Sequence, residues 1–346
     1  MHKVLVVATS RKTRGGITSV IKAHETGEQW NEFHCRWIET HIDKSSFMKL
    51  WMLFTGFLKY LFYLPGADLV HFHLSEPTSA KRKRLFIPFA LLLKKKIIVH
   101  FHAFSPDTTI NGKYSYMYRY LFTNADAVIV LSNFWKNIVN EKFNLGDKVI
   151  VIFNPCTITL YPAQYEKRKS ILYAGTLNQR KGYADLINAF SKIAQKYPEW
   201  ELTLAGNGDV DNAKTIAIKL GIESQCVFLG WVCGKAKDKA YKEATMFCLP
   251  SYAEGFPMAV LDAWAYGLPV ITTPVGGIPD VALDGENMLL FEPGDVNGLS
   301  RCIEQMITDE KLRKTIGEES KKIANTIFCA KSICKQVGDV YKQLLL

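Results

Sequence analysis

The chain reads as an α/β protein built from two Rossmann-like parallel-sheet domains. Three observations predict this. Its 346 residues are about twice the usual single-domain length. Short apolar runs alternate with helix-period patterns from end to end, the signature of βαβ units. The polar and glycine-rich stretches that carry candidate chemistry follow directly after those apolar runs, where parallel sheets bind ligands.

In the first half, strands are expected at Val4–Ala8, Leu69–Phe72, Ile97–Phe101, Val128–Leu131 and Val149–Ile152. In the second half they are expected at Ile171–Ala174, Leu202–Ala205, Val227–Leu229, Met246–Leu249, Val270–Thr272 and Leu289–Phe291, with helices filling the intervals. Residues 155–170 hold two prolines, a charge cluster and no period, and read as the linker. The domains are therefore set at 1–157 and 158–325, with a C-terminal helix over 326–346 returning to the first. A cleft between the two domains is expected to hold the ligands.

A hydrophobic content of 48% and a charged content of 22% fit a globular chain with a sizeable core. The opening "MHKVLVVATS" turns polar too soon for a secretory signal and reads as a buried strand. Eight cysteines form no C-x-x-C pair, which fits a reduced, cytoplasmic compartment and argues against structural zinc. Residues 1–160 carry 21 lysines and arginines against 11 acids, while residues 161–346 carry 22 of each. The whole net charge of +10 thus lies in the first half and suggests an anionic partner there.

"RKTRGG" (residues 11–16) follows the first strand and opens a helix. Gly15 and Gly16 there let a ligand approach a helix N-terminus, an anion site. The dinucleotide fingerprint G-x-G-x-x-G is absent. "DLVHFH" and "IIVHFH" place His71 and His73, and His100 and His102, on one face each of their strands. No carboxylate lies between them, so no metal is assigned. One histidine is expected to contact ligand and the others to be satisfied core or rim groups. Arg180 and Lys181, at the start of a helix near Gly182, form a candidate phosphate clamp. Asp209 and Asp211 read as helix-capping acids rather than metal ligands.

Residues 47–64, "FMKLWMLFTGFLKYLFYL", place Lys49, Gly56, Lys59 and Tyr60 on one narrow helical side. Both a buried sheet-packing helix and a helix exposed for membrane docking fit this pattern. Lys81–Arg84 and Lys94–Lys96 add basic charge nearby, of a kind that favours anionic lipid. No aromatic–basic module for nucleic acid is present.

The most informative stretch is "SYAEGFPMAVLDAWAYGLPV" (residues 251–270). Pro257 suits a helix start and Gly267 a stop, so a helix is expected over about Pro257–Tyr266. Glu254 precedes it, N–H groups around Gly255, Phe256 and Met258 point toward whatever Glu254 faces, and Asp262 lies about 8 Å along the helix.

At these residues the chain resembles the family-four retaining glycosyltransferases of GT-B fold. "EGFPMAVLD" matches their E-x7-E motif, and "GLPVITTPVGGIPD", "DGENMLLFEPGD", "YAGTLNQRKG", "LAGNG" and "VFLGWV" match further blocks in order. "DLVHFHLSEPTSAKRKRL" and "KKKIIVHFHAF" resemble the bacterial surface-polysaccharide branch. The resemblance implies an acceptor-binding first domain and a second domain that binds a UDP- or GDP-linked sugar. It implies that Glu254 contacts the donor sugar or its phosphate and Asp262 the ribose. Lys181 and Arg180 would neutralise the diphosphate, Gly16 would admit phosphates or acceptor, and His102 would orient the sugar. Leu229–Val232, with Trp231 and Val232, would flank the base. Gly206, in "LAGNG", and Gly255–Met258, with Pro257, complete the implied donor site. Two positions depart from the family: Asp262 replaces its glutamate, and Thr176 stands where arginine is frequent.

The resemblance further implies front-face transfer with retention, electrostatic stabilisation of a nucleoside-diphosphate leaving group, and no metal or other cofactor. The expected enzyme adds a sugar to a lipid-linked glycan for a surface polysaccharide, in the cytoplasm and peripherally on the inner face of the membrane. Competing readings are a sugar-nucleotide epimerase or a soluble-acceptor transferase of the same fold, and a non-enzymatic nucleotide-sugar-binding partner.

Overall fold

A computed structural model describes residues 2–156 and 167–345. Most of the linker read at 155–170, namely 157–166, lies outside the described residues. The chain divides into two units. The first comprises Met1–Pro155, Glu254–Phe256 and Phe328–Leu346, and the second Cys156–Ala253 and Pro257–Ile327.

The first unit holds strands β1 (Val4–Ala8), β2 (Arg36–Glu39), β3 (Leu69–Leu74), β4 (Lys96–Phe101), β5 (Ala127–Val130) and β6 (Val149–Val151). They pair in parallel in the order β2-β1-β3-β4-β5-β6. Its helices are α1 (Gly16–His24), α2 (Glu28–Glu32), α3 (Ser46–Tyr63), α4 (Pro77–Arg84), α5 (Ile87–Leu92), α6 (Ser115–Thr123) and α7 (Asn133–Phe143). In the second unit, β7 (Ser170–Ala174), β8 (Glu201–Ala205), β9 (Cys226–Phe228), β10 (Met246–Leu249), β11 (Val270–Thr272) and β12 (Leu289–Leu290) pair in parallel as β12-β11-β10-β7-β8-β9. Helices α8 (Tyr183–Ala194), α9 (Val210–Lys219), α10 (Lys235–Glu243), α11 (Met258–Ala265), α12 (Val296–Thr308) and α13 (Glu310–Asn325) belong to it. The last helix, α14 (Ala330–Leu345), packs on α1 and α2 of the first unit.

Strands β1, β3, β5 and β10 are buried along their whole length. Parallel strands covered on both faces need apolar side chains in both directions, which is why they read as unbroken apolar runs. Strand β2 was not predicted. It is a four-residue edge strand, exposed at Arg36, with only Trp37 and Ile38 apolar between two charged residues, and so lacks the run that betrays its neighbours. On one side of the first sheet, Phe101 meets the rings of Tyr118, Phe122 and Trp135 at 5.2–5.5 Å. Full burial of such side chains contributes about 1.5–3 kcal/mol each.

Helix α3 resolves the two readings of residues 47–64 in an unexpected sense. Of the narrow side, Gly56 and Tyr60 face inward and are the helix's buried residues, whereas Lys49 and Lys59 are exposed. The Tyr60 hydroxyl donates to the Phe86 carbonyl at 2.9 Å. A Cβ on Gly56 would lie 2.2 Å from the Glu39 carbonyl oxygen, so the helix backbone rests directly on the end of β2. Leu53, Phe57 and Leu61 pack against the core at the flanks. The outer face carries Phe47, Leu50, Trp51, Phe54, Leu58 and Phe62, each 50–77% exposed. A wholly buried sheet-packing helix is thereby corrected: one side, centred on Gly56 and Tyr60, packs on the domain and a row of large apolar residues faces out. Ser46–Gly66 is long and apolar enough to cross a membrane by length and composition, yet it is fastened to the domain along one side.

Because only a hydrogen atom fits between α3 and the Glu39 carbonyl, Gly56→Ala is expected to cost about 1–3 kcal/mol. Urea unfolding checks this; an unchanged midpoint would mean the helix does not rest there.

Candidate active site

In the second unit the order of strands reverses between β7 and β10. Ligands bind at such a switch point, beyond the strand carboxyl ends. The loop after β7 runs through Gly175 and Thr176 to a 3₁₀ turn, Gln179–Lys181, that leads into α8. Asn178 caps the turn by accepting from the Lys181 N–H at 3.0 Å. Gly182 has φ of 67°, and a Cβ there would sit 2.0 Å from the Pro250 carbonyl oxygen. Only glycine satisfies both constraints, and it presses the lysine loop onto the end of β10. Two further bonds clip the loops together: Tyr252 N–H donates to the Arg180 carbonyl at 2.7 Å, and Arg180 Nη1 donates to the Ala253 carbonyl at 2.5 Å. Arg180 and Lys181 are both half-buried. Gly206, after β8, approaches the Gly175 carbonyl closely. Trp231 and Val232 lie in the loop between β9 and α10, with Trp231 exposed.

Helix α11 starts one residue later than expected, with Pro257 as its N-cap and Met258 as its first residue. Asp262 lies on it, and its carboxylate is not unattended. Lys237 of α10 reaches it at 2.6 Å. Burial raises the Asp262 pKa above the ordinary aspartate value, Lys237 opposes the rise, and nearby Asp238 adds to it. The pair is made through Oδ2. Sequence reading missed Lys237, because "KAKDKAYKE" looks like an ordinary solvated helix. Asp209 occupies the N-cap position of α9, but its side chain makes no capping hydrogen bond, which corrects the capping role expected of it.

Glu254, Gly255 and Phe256 belong to the first unit. Phe256 packs between Phe153 and Phe328, with ring centroids at 5.6 and 4.9 Å, and its carbonyl accepts from Asn154 Nδ2 at 3.1 Å. Gly255 lies so close to β4's exit that a Cβ would come within 2.5 Å of the Ala103 carbonyl oxygen. This contact brings buried Glu254 to the strand end that carries His102. Gly15 caps α1, and no heavy atom lies within 4 Å of where its Cβ would be, so the approach to Gly16 is open. Glu76 is tied to the β4 exit as well, accepting from Phe104 N–H at 3.1 Å and from the Thr108 hydroxyl.

The histidines differ from expectation. His102 Nε2 pairs with His73 Nδ1 at 3.0 Å, and His71 Nδ1 pairs with the Tyr341 hydroxyl at 2.7 Å. The core histidines are not otherwise satisfied. Nε2 of His24, His71 and His73 and both ring nitrogens of His100 are buried without a hydrogen-bond partner. Each such atom costs about 1–3 kcal/mol. Burial pulls His24 down to about 4 and holds His71, His73 and His100 well below the usual histidine value, so the cluster is neutral at physiological pH.

The candidates thus form two groups. Glu254, Gly255, Phe256, His102, Gly15 and Gly16 lie in the first unit. Arg180, Lys181, Gly206, Trp231, Val232, Pro257, Met258 and Asp262 lie in the second.

Lys237→Met is expected to leave Asp262 a half-buried carboxylate without its cation. A raised folded pKa means stability is lost as pH rises through it, so the variant's deficit should be largest near pH 7 and shrink as pH falls toward the ordinary aspartate value of 3.8. Thermal unfolding across that range tests this; a pH-independent deficit would remove the ion pair as its cause.

Two family models match adjoining parts of the chain: Glycosyltransferase Family 4 over residues 2–159 and Glycosyl transferases group 1 over residues 161–323. An uncharacterized glycosyltransferase of Methanocaldococcus jannaschii is 29% identical over 284 residues, covering 81% of this chain and 76% of that one. The lipopolysaccharide 1,6-galactosyltransferase of Salmonella typhimurium is 27% identical over 230 residues, covering 64% and 63%. Anabaena HepE, solved in complex with UDP-glucose, superposes with a TM-score of 0.78 at 18% identity over 99% of this chain and 100% of its own. The likeness to HepE is one of fold. With both halves matched in order on two parallel six-stranded sheets, the chain belongs to the GT-B glycosyltransferases of the family 4 and group 1 type.

Proposed function

We propose that this glycosyltransferase moves a sugar from a UDP- or GDP-linked donor to a lipid-linked glycan, with retention of configuration, during synthesis of a surface polysaccharide. The observation that carries the donor reading is the clipped pair of loops at the β7–β10 switch point. It holds Arg180 and Lys181 beside the start of α8, where cations and helix N–H groups suit a diphosphate. HepE binding UDP-glucose on the same fold agrees with this. The diphosphate's departure then needs electrostatic stabilisation, which these cations supply without a metal at that position. Glu254 holds the sugar, His102 orients it, and the leaving phosphate takes the acceptor proton in a front-face transfer. Asp262 binds the ribose through the oxygen that Lys237 leaves.

The acceptor reading rests on α3 and its surroundings. The exposed row of α3 continues onto α5 through the Phe57–Phe89 ring contact at 5.3 Å, and Leu92 is exposed beyond it. Lys95 donates to the Pro65 carbonyl at the end of this surface, next to Lys94 in sequence, while Lys96 pairs with Asp126 at 3.2 Å. An apolar row with basic residues beside it suits the boundary of an anionic bilayer, and supports a position at the cytoplasmic face of the membrane. The Salmonella relative, a lipopolysaccharide enzyme, fits this setting.

A thermal-shift screen with UDP-, GDP- and ADP-sugars should raise the melting temperature for one nucleotide class. Glu254→Gln should then cut turnover by about 100-fold or more while leaving that shift in place; near-normal turnover would sink the assignment. For the membrane, the chain should float with anionic vesicles, and Trp51→Glu with Phe54→Glu should abolish flotation without changing donor binding. Flotation unaffected by these changes, or absent in the parent chain, would favour a soluble acceptor.

A further inference from the structure

Four histidines of the first unit, His24, His71, His73 and His100, are buried with unpartnered ring nitrogens, and the half-buried His102 is the one given a part in the reaction. His71 and His73 lie on the same face of β3, and His73 stands opposite His100 of β4 in register. Their ring centroids are 4.3, 4.8 and 5.4 Å apart, and one ligand nitrogen from each lies within 4.8 Å of the others. His24 comes down from α1, its ring 6.0 Å from His73 and 6.1 Å from His100. We propose that His71, His73 and His100, with His24 as a further imidazole, form a buried transition-metal site.

Three features favour an ion over a chance cluster. First, the bonding is polarised. His71 and His73 each use Nδ1 for a hydrogen bond, to Tyr341 and to His102, and keep Nε2 unpartnered and buried. Metal-binding imidazoles show this division, one nitrogen on the ion and the other held by an outer partner. Second, the rings are neutral, as ligands must be. Third, the spacing is near what an ion demands. Bonds of about 2.0–2.1 Å bring ligand nitrogens to about 3–3.5 Å of one another, so closure needs ring movements of about 1 Å from the present separations. Because the donor set is nitrogen only, it selects zinc, nickel, cobalt or copper over magnesium, calcium and manganese. The ion would fix the His73 ring and, through the 3.0 Å bond, the orientation of His102. It stands behind the sugar contact and does not touch the donor diphosphate.

The test uses the full chain without a polyhistidine tag. Zn²⁺ or Ni²⁺ should bind with one-to-one stoichiometry by elemental analysis and raise the melting temperature, whereas Mg²⁺ and Ca²⁺ should not. Co²⁺ should give the visible absorption of nitrogen ligation. His100→Leu, if folded by circular dichroism, should lose the ion. Tyr341→Phe keeps all the ligands and should lower affinity about 10–100-fold while the chain stays folded. Failure of the parent chain to bind Zn²⁺, Ni²⁺ and Co²⁺, or equal binding by His100→Leu, would overturn the site, as would a crystal structure with only water among the rings.

Discussion

Parallel strand pairing is the constraint on which the rest depends. Every strand in both sheets runs the same way as its neighbours. All carboxyl ends of a sheet therefore lie on one edge, and loops distant in sequence become neighbours there. Arg180 and Tyr252 are brought together for this reason, as are Glu76 and Phe104. The short polar loops could not hold these positions alone. Buried strands behind them, such as β10 and β3, set where each loop begins.

The strands and the switch-point loops were legible in the sequence because burial on both faces leaves an unmistakable apolar run, and because glycines mark close backbone approaches. All eleven expected strands lie within two residues of the positions predicted for them, β12 ending one residue early. What escaped was whatever depends on a partner far along the chain. β2 exists because β1 gives it an edge to pair with. The attachment of Glu254–Phe256 to the first unit depends on Phe153, Asn154 and Phe328. Lys237 looks solvated until α11 places Asp262 beside it. The inward face of α3 was left open, since a helix wheel shows which residues differ but not which side the fold takes. Gly56 and Tyr60 win the inside because a backbone can rest on a carbonyl only where no side chain intervenes.

Two polar devices in the protein answer burial in opposite ways. At Asp262 a half-buried carboxylate is met by an opposite charge, which opposes the rise in pKa that burial imposes. Among the histidines no counter-charge is present, and the rings give up their protons instead. Desolvation drives both outcomes. The difference lies in whether a neighbouring helix supplies a cation, as α10 does for α11.

The attachment of α3 has a consequence for encounter rates. A helix sealed along its underside by Gly56 and Tyr60 cannot rotate to thread through a bilayer without leaving the domain. In the membrane role proposed above, it would lie flat. A protein held flat on a bilayer seeks a lipid-borne acceptor by lateral diffusion in two dimensions, where tethering raises effective concentration without any new contact. Under that geometry, acceptor capture is governed by the surface density of the lipid rather than by its bulk concentration. Loosening α3 would then weaken acceptor use while leaving the donor pocket intact.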